Sequence, residues 1–299
     1  MNWAIVTPSY KLDFERCKLL CESIDAFVTG DWHHYIIVGK VDLNLFAGLS
    51  SPRRTVLLKE NILPNWLRYI GRIPKLHGGE LFFSWRTGPM FGWHVQQIIK
   101  LSMAHYLREQ AMMFCDSDIF FVRPVRLSGL EKNGTVPFFR SSNSAERGSK
   151  SIPAFGLNSK RSLGLQNREI TEYDYVENLI AWHRQTAVDM CNYLEQLHRK
   201  NWISAIYGYR LLSEYTLYGL YVDYILKDKS GFEIQDYCMC KTVHYGPAFD
   251  GAKLDAFFAS LSPRQVAVGF QSTIGFNIES LRQQFAKAVK YQAGPFPVP

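Results

Sequence analysis

The chain has 299 residues, with 34 Lys and Arg against 27 Asp and Glu, which gives a net charge of +7. Hydrophobic residues make up 47% of the chain and charged residues 20%, which excludes a disordered protein. No apolar run reaches the roughly 20 residues of a membrane-spanning helix, and the first residues lack the basic start of a signal peptide. Six scattered cysteines indicate reduced thiols, so we expect a cytoplasmic protein. The positive charge is typical of proteins that bind nucleic acids, anionic membranes or phosphate-bearing ligands.

Strands and helices alternate in the first part of the chain. Apolar runs predict strands at 3–6, 35–38 and 55–58, and the apolar spacing predicts a helix over 12–27. This order indicates a parallel sheet in an α/β fold. The segment 64–92 contains several Pro and Gly residues and predicts a long irregular stretch.

The rest of the chain follows a looser pattern. Helical spacing at 93–109 precedes two apolar strands, at 111–115 and 119–122, that flank an acidic turn. Another strand is predicted at 135–139. We expect mostly helical structure over 180–226, with a break near Gly208.

The acidic turn is the most informative feature of the sequence. Asp116 and Asp118 follow a strand directly, and ligands of open α/β sheets bind at the carboxyl ends of the strands. Carboxylate oxygens suit Mg²⁺ or Mn²⁺, which proteins often hold with one or two carboxylates and the phosphates of a substrate. An ordinary acidic turn is the alternative. A haloacid-dehalogenase-type phosphatase is disfavoured, because its acidic pair follows the first strand and Phe120 stands where it has Thr or Val.

Several motifs together resemble a known family. Thr7-Pro8-Ser9-Tyr10 after the first strand, with Asp116-Ser117-Asp118 about a hundred residues later, is similar to GT-A glycosyltransferases. With the stretches 92–101, 114–124, 181–184 and 213–219, the chain resembles a bacterial family of uncharacterised, GT-A-type glycosyltransferase-like proteins over about residues 1–245.

The resemblance implies a fold and a division of the chain. The implied fold is α/β, with a GT-A-like, Rossmann-type mixed sheet flanked by helices and a helical C-terminal part. We expect a nucleotide-sugar-binding and catalytic domain over 1–250, whose acceptor part spans about 150–250. The segment 251–299 is then a partly helical C-terminal extension.

The resemblance also implies a donor site. Its loop after the first strand would line the base and ribose of a nucleotide sugar. Gln97 and Lys100 share one helix face that leads into the acidic turn, so Lys100 is a candidate phosphate partner, although a solvated helix face is the alternative. Arg16 is a weaker phosphate candidate. The predicted donor-binding residues are Thr7, Pro8, Ser9, Tyr10, Gln97, Lys100, Asp116 and Ser117.

Asp116, Asp118 and His244 are the predicted ligands of Mn²⁺ or Mg²⁺. His244 is similar to the late histidine of some retaining GT-A families, and a structural histidine is the alternative. Zinc bound by His244 with Cys238 and Cys240 is disfavoured, because a fourth ligand at the usual spacing is missing.

The acceptor is predicted to contact Trp182, Arg184 and Glu214. Glu214 lies among aromatic residues and is, with Asp118, a candidate catalytic residue, acting as a base if burial raises its pKa. A helix-capping position for Glu214 is the alternative. The alternative for Trp182 is a position in the core, and the alternative for Arg184 is a charge at the surface.

The predicted function is metal-dependent transfer of a sugar from a UDP- or GDP-sugar to a glycan or lipid-linked acceptor, in the synthesis of bacterial surface polysaccharide or lipopolysaccharide. The alternatives are a nucleotidyltransferase, which usually has a Gly-rich basic loop after its first strand, and a non-catalytic nucleotide- or glycan-binding protein. No motif supports nucleic-acid binding. An apolar helical stripe predicts either peripheral association with the inner face of a membrane or packing on the domain. The stripe consists of Ile278, Leu281, Phe285 and Val289.

Overall fold

The computed structural model describes residues 1–73, 80–142, 152–166, 173–208, 211–227 and 231–292. Its strands are β1 (Trp3–Pro8), β2 (Val28–Thr29), β3 (Trp32–Val38), β4 (Arg54–Leu58), β5 (Arg68–Arg72), β6 (Glu80–Ser84), β7 (Gly88–Phe91), β8 (Ala111–Cys115), β9 (Ile119–Phe121), β10 (Val125–Arg126), β11 (Phe138–Phe139), β12 (Leu179–His183), β13 (Ile234–Gln235), β14 (Cys240–Val243) and β15 (Ala267–Phe270). Its α-helices are α1 (Phe14–Phe27), α2 (Leu43–Phe46), α3 (Lys59–Ile62), α4 (Gly92–Tyr106), α5 (Ile152–Ser162), α6 (Arg184–His198), α7 (Trp202–Ile206), α8 (Glu214–Leu220), α9 (Gly251–Ala259) and α10 (Ile278–Gln292).

A five-stranded mixed sheet forms the centre of the fold, in the order β12-β8-β1-β3-β4. Strands β8, β1, β3 and β4 are parallel and β12 is antiparallel. Alternate residues of β1 and β8 enter two different cores: Val6 and Phe114 lie with α4, whereas Ile5 and Met113 lie with α1. Helices therefore cover both faces of the sheet, which explains why these two strands are apolar at every position except Thr7. The predicted mixed α/β fold is confirmed.

The register of the sheet brings two distant loops together. Val6 of β1 lies opposite Phe114 of β8, so the residues that follow these strands emerge side by side at one edge. The loop after Pro8 and the turn that contains Asp116 therefore share the carboxyl edge of the sheet.

Two predictions of secondary structure were wrong. The segment 64–92 contains a three-stranded antiparallel sheet, β5-β6-β7, rather than an irregular stretch. Residues 180–183, at the start of the stretch expected to be mostly helical, belong to β12, because they pair along the edge of β8. Both structures depend on hydrogen bonds to a neighbouring strand. The hydrophobic pattern of one short segment does not indicate which strand will pair with it.

The C-terminal segment packs on the rest of the molecule. Strand β15 lies between β14 and β9, and α9 and α10 form the helical part of this segment. The apolar stripe of α10 is directed inward: Leu281 is 2% exposed, and the ring of Phe285 contacts that of Phe27. Of the two expectations for this stripe, the structure shows packing on the domain. In the part of the chain that the structure describes, no helix is both long and apolar enough to span a membrane.

Candidate active site

The Asp-Ser-Asp turn is held from several sides. The side chain of Asp116 is 40% exposed, at the carboxyl edge of the sheet. Asp118 accepts a hydrogen bond at its Oδ2 from the backbone N–H of Ser272, at 3.0 Å. Ser117 is buried and donates from its hydroxyl to Asp13 Oδ2, at 3.3 Å, so its side chain holds the turn and is not available to a donor. The two predicted carboxylates are therefore presented on a firmly anchored turn.

A third carboxylate, Asp13, lies beside this turn, directly before α1. Burial raises the pKa of Asp13, while the Arg16 guanidinium and the Ser117 hydroxyl oppose the rise. Burial also raises the pKa of Asp118 to about 7, and the charges of Asp116 and Asp13 add to this effect. The guanidinium of Arg16 opposes this rise in the pKa of Asp118. It also donates hydrogen bonds to the carbonyls of Phe270 and Phe276. The edge thus concentrates more negative charge than its fixed cations balance.

Lys100 supplies the buried positive charge of the site. Its Nζ lies 3.2 Å from Asp116 Oδ1, 3.3 Å from Glu214 Oε1 and 2.7 Å from the Tyr215 hydroxyl. Burial alone would lower the pKa of Lys100, but the charges of Asp116, Tyr215 and Glu214 together raise it well above its ordinary value. Lys100 is therefore a fixed cation.

Gln97 lies one turn before Lys100 on α4 and is 5% exposed. Its Nε2 has no hydrogen-bond partner among the residues that the structure describes. A buried amide donor without a partner is costly, so this group is expected to be satisfied by a ligand or by water.

The loop after β1 is only partly as expected. Thr7 is fully buried, and its hydroxyl bonds to Nε2 of His34 at 3.0 Å, so its prediction as a donor-binding side chain was wrong. Pro8 ends β1 and is also buried. Ser9 and Tyr10 are half-buried, but the hydroxyl oxygen of Ser9 is itself buried. Of the four predicted residues Thr7 to Tyr10, Tyr10 is therefore the one whose side chain is partly exposed at the edge.

The predicted acceptor residues Trp182 and Arg184 lie at the opposite end of the sheet. Trp182 pairs with Met112, near the start of β8, which lies about 13 Å along the strand from the acidic turn. Trp182 is 1% exposed and stacks on Tyr218 at 4.3 Å. Arg184 donates to the carbonyl of Ala104 at 3.2 Å. The structure thus shows the alternative for Trp182, a position in the core, whereas acceptor binding by the half-buried Arg184 stays a prediction.

Glu214 is the first residue of α8, and Ser213 caps this helix through its side chain. Its carboxylate is 6% exposed and paired with Lys100. Burial raises the pKa of Glu214, and the Lys100 ammonium opposes the rise. The raised pKa meets the condition for a base, and the ion pair makes Glu214 a partner that positions Lys100. The roles of Glu214 as a base and an acceptor contact stay predictions.

His244 follows β14 and is exposed. Among the described residues, no three His, Cys, Asp or Glu side chains are grouped closely enough to hold a metal ion. The structure therefore does not assemble His244 with the two predicted aspartates, nor with Cys238 and Cys240. Metal binding by Asp116 and Asp118 stays a prediction.

Sequence reasoning missed the side chains that brace the site from a distance. Ser272 and Asp13 lie more than a hundred residues from Asp118 along the chain, and neither is part of a recognisable motif. Asn178 precedes β12 near the same edge and donates to Thr242 at 2.9 Å. Only the folded chain brings these residues together.

The model of a family of unknown function (DUF6492) matches residues 4–247. No curated protein matches the chain. Two similar solved structures are glycosyltransferases. The apo structure of the bifunctional enzyme WbbM has a TM-score of 0.47 and 11% identity, over 96% of this chain and 49% of WbbM. The galactosyltransferase LgtC, in complex with donor and acceptor sugar analogues, has a TM-score of 0.43 and 10% identity, over 98% of this chain and 97% of LgtC. The chain spans about half the length of WbbM.

Proposed function

The chain belongs to the family of unknown function DUF6492, and we propose that it is a glycosyltransferase that moves a sugar from a UDP- or GDP-sugar to a glycan or lipid-linked acceptor. The observation that carries this proposal is the pair Asp116 and Asp118 at the carboxyl edge of a parallel sheet, beside a buried lysine. In open α/β folds this edge is where ligands bind. The bacterial surface polysaccharide pathway and the extent of the acceptor region at 150–250 are parts of the same proposal.

The acidic pair has the chemistry of a site for Mn²⁺ or Mg²⁺. Burial is the main cause that raises the pKa values of Asp118 and Asp13, and the charge of Asp116 adds to the rise in both. A divalent cation would relieve this repulsion, and hard oxygen ligands fit both ions. Asp116 and Asp118 would hold the ion, which when bound neutralises the charge of a departing nucleoside diphosphate.

The surrounding side chains have separate tasks. Lys100 offers a permanent positive charge to the phosphates, and Glu214 and Tyr215 hold it in position. Gln97 contributes an amide donor, whose unmet hydrogen bond would be made with the donor substrate. Tyr10 offers a ring to the base.

A donor-hydrolysis screen over UDP- and GDP-sugars, with and without Mn²⁺, tests the proposal. We expect one nucleotide class to be hydrolysed in a metal-dependent way. Asp118→Asn should lower the rate by about a hundredfold or more, because it removes charge that the donor and its cation require. The matched control, Asp31→Asn, changes an exposed aspartate before β3 at the opposite edge and should leave the rate unchanged.

Two other outcomes would contradict the proposal. Release of pyrophosphate from a nucleoside triphosphate and a sugar phosphate, without donor hydrolysis, would indicate a nucleotidyltransferase. Metal-independent binding of glycans with no turnover of any donor would indicate a binding protein.

A further inference from the structure

The sheet β5-β6-β7 carries large apolar side chains on both faces. On the inner face, Phe82 and Met90 are buried in the same core as α4. Cross-strand partners in an antiparallel sheet point to the same side, and the partners that alternate with these two point outward. This outer face is formed by Leu81, Phe83, Pro89 and Phe91. The solvent side of an antiparallel sheet is ordinarily polar, so an apolar outer face needs a partner.

Further apolar side chains extend the outer face into solvent. Trp85, at the turn between β6 and β7, is 96% exposed, and its ring contacts that of Phe83 at 5.2 Å. Ile70, at the bulge of β5, is 56% exposed, and Ile73 is 38% exposed. A nearly bare tryptophan at a hairpin tip is a costly feature for a surface that stays in water.

The charges around this face are positive. Arg68 is paired with Phe83 across the strands, and Arg86 follows Trp85 at the turn. Over 68–73 and 80–91, Glu80 is the one acidic residue. The carboxylate of Glu80 forms an ion pair with Lys59 at 2.6 Å. Glu80 lies an odd number of residues from Phe83 on β6, so it points to the inner face of the sheet. The outer face is therefore apolar, with Arg68 on it and Arg86 at its hairpin turn, where the guanidinium lies 5.3 Å from the ring of Trp66.

We propose that the outer face of β5-β6-β7, with Trp85 at its tip, docks on the surface of an anionic phospholipid bilayer. Tryptophan favours the interface between lipid and water, and arginine side chains reach anionic headgroups while their stems lie on apolar surface. A second copy of the chain is a poorer partner, because self-pairing of this face would bring its arginines together. A bilayer matches both the apolar surface and the charge.

The face lies close to the candidate active site. Strand β7 leads directly into α4, and Lys100 is nine residues beyond Phe91, or about 13 Å along the helix. Docking would hold the site near the membrane and favour a lipid-linked acceptor over a soluble glycan. This last step rests on the proposed function, whereas the docking itself does not.

Sedimentation of the full chain with vesicles tests the docking. We expect binding to vesicles of phosphatidylcholine with phosphatidylglycerol, weaker binding to pure phosphatidylcholine, and a decrease at high salt. Trp85→Ser should lower the partition coefficient by about tenfold and Arg86→Glu by about fivefold or more.

Two matched controls distinguish binding through this face from non-specific binding to vesicles. Tyr291→Ser removes an aromatic ring that is 80% exposed on α10, and Arg126→Glu reverses an exposed charge on β10. Both should bind as the unaltered chain does. Trp85 makes few contacts, so circular dichroism should show the same folded signal for its variant.

The proposal is overturned if the unaltered chain does not sediment with anionic vesicles, or if Trp85→Ser sediments equally well. It is also overturned if light scattering shows a dimer that Trp85→Ser dissociates, which would make a second copy the partner. Asp118→Asn should bind vesicles normally, so a failure of the proposed enzymatic function would leave this result intact.

Discussion

Lys100 links the acidic turn to α8. It is 7% exposed and contacts two carboxylates, one in a solvent-facing position and one buried. A buried cation of this kind is stable only while its partners remain, and its partners depend on it equally. Lys100 therefore contributes both to the candidate site and to the stability of the fold around it.

Lys100→Met should lower the free energy of unfolding by about 3 to 5 kcal/mol, because it leaves Glu214 buried without a counter-charge. Urea unfolding at pH 7 measures the change. The matched control is Lys132→Met, which breaks an ion pair with Glu233 whose side chains are 60% and 48% exposed. Its cost should stay below about 1 kcal/mol. Equal losses in the two variants would contradict the role given to Lys100.

His34 illustrates a buried titratable group outside the site. Its Nδ1 accepts a hydrogen bond from Arg54 Nε at 3.0 Å, so the neutral ring donates from Nε2 to Thr7. Burial lowers the pKa of His34 in the folded protein. The network holds the hydroxyl of Thr7 inside the sheet.

This network gives a pH dependence with a definite sign. Below about pH 6.5 the unfolded chain takes up a proton at His34 that the folded chain does not, so stability falls as the pH falls through this value. By pH 5 the loss is at most about 2 kcal/mol. Urea unfolding from pH 7.5 to 5 should show a shallower decline for His34→Gln than for the unaltered chain. A His34→Gln decline as steep as that of the unaltered chain would contradict this assignment.

Helix α8 owes its position to a close approach. A Cβ on Gly219 would overlap the ring of Tyr175, which is buried and donates from its hydroxyl to Asp223 at 2.6 Å. Glycine is therefore required here for packing, despite its low helix propensity. The same helix begins with Glu214 and Tyr215, the partners of Lys100.

Gly219→Ala should destabilise the protein by about 1 to 3 kcal/mol through overpacking, although alanine favours helix. Gly208→Ala is the matched control, since no atom lies within 4 Å of its added Cβ. Thermal unfolding of both variants checks this. A Gly219→Ala protein as stable as the unaltered chain would show that Tyr175 yields easily.

At the scale of the whole molecule, the sequence predicted the elements that are determined by their own residues. The amphipathic helices α1 and α4, the apolar strands β1 and β8 and the acidic pair after β8 follow from spacing and composition. The edge strand β12 and the sheet β5-β6-β7 depend on pairing partners elsewhere in the chain, so they were missed.

The candidate site was predicted in part for the same reason. Asp116 and Lys100 lie near each other in sequence and in space, whereas Asp13 and Ser272 reach the turn only through the packing of α1 and β15. Trp182 was misassigned because the resemblance marked its segment without revealing that β12 runs antiparallel to β8. Strand direction decides which end of a sheet a residue occupies, and composition does not contain it.

Isothermal titration of UDP and GDP into the metal-free chain, with and without added Mn²⁺, tests the central claim most directly. We predict that one nucleotide binds only with Mn²⁺, and that Asp118→Asn abolishes this binding while Asp31→Asn retains it. Equal binding with and without the ion, or no binding of either nucleotide, would contradict a nucleotide-sugar site at the Asp116–Asp118 turn.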